Sequence, residues 1–141
     1  MTDDTPLPET IEGLVSVPQK EAVLLLEAGY LLLEMKRPKE AEAVFQGVCA
    51  LLPQSDVPRV ALGNVLFSQG HFARALKSHE EALKVKPDSA LAQAHVGESL
   101  IFLKKKDQAK VALEKAVALD PNSDPARFAQ ALLAALADGS L

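Results

Sequence analysis

The stretch Asp56–Ser89, DVPRVALGNVLFSQGHFARALKSHEEALKVKPDS, decides the fold. It reads as two helices around a tight turn at Gly70. The segments on either side repeat its plan at an offset of 34 residues. Gly29, Gly63 and Gly97 are in step, as are Ala41, Ala75 and Ala109, and Pro53, Pro87 and Pro121. Three residue types holding one period over three copies mark a stack of helical hairpins.

Within the central copy, Ser55 or Asp56 is placed to cap the first helix, and Pro58 suits its first turn. Leu62, Val65 and Leu66 supply apolar contacts, and Gly63 lets the neighbouring helix approach. Gly70 tolerates the positive φ of a turn. Phe72, Ala75, Leu76, Ala82 and Leu83 form the packing stripe of the returning helix.

The copy before it runs from Ala22 to Ser55. Its first helix ends near Met35, and Pro38 opens the second, where a missing N–H costs nothing. Ala41, Val44, Phe45, Val48 and Leu52 make one apolar face. The copy after it, Ala90–Ser123, reuses these roles with Val96, Gly97, Leu100, Ala109, Leu113 and Ala116, and Asp107 is placed as a cap for its second helix. Lys36 and Lys104 stand where the central copy has Gly70, which predicts a different turn geometry in those two hairpins.

Beyond Pro121, Asp124 reads as a cap and Pro125 as first-turn residue of a last helix ending at Asp138-Gly139. Phe128, Leu132 and Leu136 share one face of it. A single helix there covers the apolar end of the stack. At the other end, Met1–Pro8 reads as a flexible tail and Glu9–Val17 as a short amphipathic helix punctuated by Pro18. This divides the chain into a tail over residues 1–18 and one helical domain over 19–141.

Composition narrows the function. The chain has 141 residues, 48% hydrophobic and 24% charged, enough for one globular domain. Aromatics are 4%, with no Trp, so the core is built from Leu, Val and Ala. A net charge of −4 argues against a nucleic-acid surface, which needs clustered Lys and Arg. Lys104-Lys105-Lys106 falls at a turn and reads as a solvated surface. The single cysteine, Cys49, permits no internal disulfide and fits a reducing, cytoplasmic setting. The most apolar stretch, Ala22–Leu33, contains Glu27 and is shorter than the roughly 20 residues a membrane span needs, so no membrane insertion is expected.

The small residues Gly63, Ala75 and Ala82 with Pro87, matched by Gly97, Ala109, Ala116 and Pro121, resemble the tetratricopeptide repeat. Val48 departs where that pattern prefers alanine, and His79 where an aromatic is usual. The resemblance implies an all-α fold: three tetratricopeptide-repeat hairpins in a right-handed superhelix with a C-terminal capping helix. For function it implies protein or peptide binding. A narrower resemblance lies in AEAVFQGVCALLPQSDVPRVALG, Ala41–Gly63. Its A-x-x-x-F-Q-x-x-C-x-L run, followed by Asp56 and Leu62-Gly63, is similar to the class II chaperones of bacterial type III secretion. Those are small acidic cytosolic proteins that hold hydrophobic translocator subunits before export. Their groove takes an extended Pro-x-Leu-x-x-Pro segment, and many dimerise through the N-terminal region, so a homodimer is among the expected states.

Helical spacing then selects the groove, given that the three glycines face the partner helix. The inward set is Val23, Leu26, Tyr30 and Leu33, then Val57, Val60, Asn64 and Phe67, then Leu91, Ala94, Glu98 and Ile101. A contiguous apolar surface of this kind marks a binding site. The alternative is that Leu26, Leu33 and Val60 are ordinary core beneath a narrow groove. Asn64 offers both donor and acceptor to an extended backbone. A related tetratricopeptide class grips the C-terminal carboxylate of heat-shock chaperones with groove cations, but the corresponding first-repeat position here is Leu26.

The sequence offers no catalytic constellation. His71, His79 and His95 do not pair at zinc-ligand spacing, Cys49 sits on a packing face, and the adjacent Glu80 and Glu81 diverge on a helix. No enzyme activity, metal or cofactor is expected. The leading expectation is a cytoplasmic type III secretion chaperone for a hydrophobic secreted client. The alternative is a general scaffold or adaptor, or a co-chaperone for the needle subunit.

Overall fold

A computed structural model describes residues 17–141 of the chain. The tail over residues 1–8 and the amphipathic segment up to residue 16 lie outside the described residues. Among the described residues seven helices follow one another: α1 Val17–Glu34, α2 Pro38–Leu51, α3 Val57–Ser68, α4 Phe72–Val85, α5 Ala90–Phe102, α6 Lys106–Leu119 and α7 Asp124–Asp138. Val17 and Pro18 already belong to α1, so the first helix starts earlier than Ala22.

Each helix packs on the next, and α5 also packs on both α3 and α7. The first helices of successive hairpins therefore share a face from α3 to α7. Inside each hairpin a glycine meets one large side chain: Gly29 lies on the Phe45 ring, Gly63 on His79, and Gly97 on Leu113. A Cβ at any of the three would collide with that side chain. These contacts are one repeat apart and explain why glycine holds its register. Phe45, His79 and Leu113 are fully buried, so one position filled by three different residues sets the distance between paired helices.

The three hairpin turns are alike, contrary to the expectation from Lys36 and Lys104. Lys36 and Lys104 adopt φ of 61° and 64°, beside 82° at Gly70. Each turn carries the same two backbone bonds. In the central one, Gly70 N–H donates to Phe67 O at 2.9 Å and His71 N–H to Leu66 O at 2.9 Å. In the third, Lys104 donates to Ile101 O at 3.0 Å and Lys105 to Leu100 O at 2.9 Å. This is the Schellman arrangement, in which the left-handed residue closes the last open carbonyls of the helix. The bonding demands the conformation whatever the side chain, and the lysines accept its steric cost.

Of the two caps expected for α3, Ser55 makes the side-chain contact, and two further expected caps are reassigned. Asp56 makes no side-chain cap bond to α3; Ser55 Oγ instead accepts from Val57 N–H at 3.3 Å. Asp107 lies in the first turn of α6, whose capping position is Lys105. Ser123, not Asp124, caps α7 by accepting from Ala126 N–H at 3.2 Å. A cap must have extended backbone just outside the helix, and Ser123 has it at ψ 163° whereas Asp124 is already helical.

The core is divided along the stack. Ala41, Phe45, Ala61 and Val65 centre the first part, Val60, Ala82 and Ala92 the middle. Leu100, Ile101, Leu113 and Ala129 centre the last, where Phe128, Leu132, Leu133 and Leu136 of α7 pack against it.

Candidate peptide-binding groove

The twelve residues selected by helical spacing do not lie at one depth. Val60, Ala94 and Ile101 are buried, each in a core cluster. Leu26 and Leu33 are half-buried against the Phe45 cluster, and Leu91 against Val60. Val23, Tyr30 and Val57 are exposed at 52%, 43% and 42%. Asn64, Phe67 and Glu98 are half-buried. On the helices that share a face, solvent-accessible surface thus comes from Val57, Asn64, Phe67, Leu91 and Glu98, and Val60, Ala94 and Ile101 are buried. Tyr30 stands at the α1 end, its ring edge-on to Phe45 at 5.1 Å between centroids.

Sequence reasoning missed the most prominent feature. Phe67 of α3, Phe72 of α4 and Phe102 of α5 form one aromatic cluster. Their centroids are 5.0 Å apart for Phe67–Phe72, 4.9 Å for Phe67–Phe102 and 5.1 Å for Phe72–Phe102. The two edge-on pairs that Phe67 makes are favourable beyond the area they bury, yet Phe102 remains 40% exposed. The signal was present: Phe67 and Phe72 flank the turn at Gly70, and Phe102 flanks the equivalent turn at Lys104. Helical spacing selects Ile101, whereas the exposed ring is its neighbour Phe102, and one residue of rotation moves a helical side chain by about 100°.

Glu98 is the one charged member of the set, and its Oε1 lies 3.2 Å from Nδ1 of His95. Burial pushes the Tyr30 phenol above its ordinary value. Half-buried Cys49 is likewise raised, chiefly by burial, which leaves it a poor nucleophile. Among the described residues no group of His, Cys, Asp and Glu is arranged to hold a metal ion, and no helix is long and apolar enough to cross a membrane.

The tetratricopeptide repeat model matches residues 32–95 and 66–136. The chain belongs to the tetratricopeptide-repeat family. None of the curated protein sequences matches it. Among solved structures, this tetratricopeptide chain is similar to PcrH from Pseudomonas aeruginosa, at 22% identity and a TM-score of 0.75 over 84% of this chain and 93% of that one. The type III secretion translocator chaperone SycD of Yersinia enterocolitica is similar at 19% identity and TM-score 0.74, covering 82% and 90%. The first repeat domain of Spaghetti (RPAP3), bound to the HSP90 peptide SRMEEVD, is similar at 23% identity and TM-score 0.68, covering 81% and 94%. At these identities the likeness establishes the helical-hairpin fold.

Proposed function

We propose that the chain is a cytoplasmic chaperone of a type III secretion system, holding an extended apolar segment of a hydrophobic translocator along the face shared by its first helices. The observation that carries this reading is the Phe67–Phe72–Phe102 cluster, whose Phe102 ring stays 40% exposed at the C-terminal ends of α3 and α5, the same two helices that carry Val57, Asn64 and Leu91. An extended segment with leucine anchors and framing prolines fits such a surface, because its backbone is held straight before binding. Two anchors buried at roughly 1.5–3 kcal/mol each supply about 3–6 kcal/mol, so the about 8 kcal/mol of micromolar binding also requires backbone hydrogen bonds and further contacts that outweigh the ordering cost.

The resemblance of Ala41–Gly63 to the class II secretion chaperones narrows the client, and SycD, a translocator chaperone, shares the fold. Charge separates this reading from capture of an acidic C-terminus such as the SRMEEVD peptide held by the RPAP3 domain. The twelve groove residues contain no lysine or arginine, and their one charge is the Glu98 carboxylate, which repels an anionic client. A general scaffold, or a needle-subunit co-chaperone, uses the same surface with a different client.

Co-expression with a hydrophobic translocator tests the assignment. The wild-type chain should keep the translocator soluble and co-purify with it, and the Tyr30→Ala/Phe67→Ala variant should lose it. Equal recovery by both would remove the groove from the mechanism, and recovery of a needle subunit alone would transfer the assignment to the second client.

A further inference from the structure

His79 is fully buried, and neither of its ring nitrogens has a hydrogen-bond partner among the described residues. A buried imidazole in that state is held only as the neutral form. Its ring lies on Gly63 of α3 and stacks on His95 of α5, with centroids 5.2 Å apart and planes 22° from parallel. His95 in turn packs on Phe128 of α7 at 5.2 Å. One histidine of α4 therefore touches both first helices that border the aromatic cluster.

Among the described residues, no acidic side chain is bonded to the His79 ring to compensate a positive charge. Gly63 brings no side chain. On α4, Ser78 is spent on Arg59 O at 2.7 Å, and Glu80 is exposed. Arg59 of α3 donates to Ser55 O at 3.0 Å. On α5, the Glu98 carboxylate is engaged by His95 at 3.2 Å, and the field of His95 opposes a proton on His79.

We propose that the His79–His95 stack is an acid-sensitive joint between the second and third hairpins, where protonation of His79 parts α3 and α4 from α5. Burial, and secondly the field of His95, push His79 from an ordinary 6.5 to about 3. Between those values the unfolded chain takes up a proton that the folded chain refuses. Stability from this site is complete above about pH 6.5 and is lost progressively as the pH falls toward 3. The repeat supplies its own controls: Phe45 and Leu113 occupy the equivalent position against Gly29 and Gly97. Phe or Leu at residue 79 thus has a precedent within the chain, and neither titrates.

The test is denaturant unfolding of the full chain, followed by circular dichroism at about pH 7 and about pH 4.5, for wild type, His79→Phe and His79→Leu. From pH 7 to 4.5 the wild-type unfolding constant should rise on the order of a hundredfold more than that of either variant. An equal rise in wild type and in whichever variant folds would overturn the joint. Two measurements need only the wild-type protein. The His79 ring resonance should stay neutral in folded protein at about pH 4.5, and titration near 6.5 would overturn the proposal. Amide exchange referred to intrinsic rates should show α3–α5 losing protection on acidification before α6 and α7; uniform loss would overturn it equally.

Discussion

Ser89 Oγ donates to Asp56 Oδ2 at 2.5 Å, joining the residue before α5 to the residue before α3, and both side chains are buried. The same hydroxyl oxygen accepts from Ala92 N–H at 3.0 Å, so Ser89 caps α5 while it ties that helix to the start of the preceding hairpin. Asp56 therefore works between repeats and not as the cap of its own helix. Ser89→Ala removes the cap and leaves a buried carboxylate without this partner. The expected loss is about 2–3 kcal/mol, read by urea denaturation. A loss under about 0.5 kcal/mol, the range of ordinary surface changes, would contradict this role.

The lysines at the hairpin turns are a source of available stability. Lys104 holds φ 64° in the arrangement that Gly70 adopts without a Cβ. Lys104→Gly should stabilise the fold by about 1 kcal/mol. The reverse change, Gly70→Lys, should destabilise it by a similar amount. Thermal melts of both variants check the pair, and opposite signs are required.

α7 closes the stack with Phe128, Leu132 and Leu136 packed on the cluster around Leu100 and Leu113. Removal of residues 124–141 exposes that cluster. The expected loss is on the order of 5 kcal/mol, against a typical total of about 5–15 kcal/mol. The shortened chain should therefore melt far below the full one by circular dichroism. A shortened chain that melts like the full one would refute this account of α7.

The helical-hairpin fold was legible because the positions that fix helix spacing admit few residues. Gly29, Gly63 and Gly97 each face a large side chain with no room for a Cβ, and that constraint prints a period on the sequence. The caps were less legible. Asp56, Asp107 and Asp124 all have the right chemistry, but the choice between each and its neighbour depends on a backbone angle that residue type does not fix. The turns at Lys36 and Lys104 were misread for a related reason: the carbonyls at the helix end dictate the geometry, and side-chain preference only sets its cost.

Depth was the limit on the candidate site. Helical spacing gives the direction of a side chain, and an inward direction holds both floor and lining. Val60, Ala94 and Ile101 are floor because they are short or branched and lie where neighbouring helices meet. Phe67 and Phe102 reach the surface because their rings extend past that contact and find each other at 4.9 Å. The pairing joins α3 to α5, a relation between repeats that no single helix displays.

The most direct measurement of the central claim is calorimetric titration of a Pro-x-Leu-x-x-Pro peptide into the wild-type chain and into a Phe67→Ala/Phe102→Ala variant whose melting curve shows it folded. The account predicts about micromolar binding to wild type and at least a tenfold weakening in the variant, equivalent to about 1.4 kcal/mol. Failure of the wild-type chain to bind the peptide, or equal affinity in the two proteins, would contradict it.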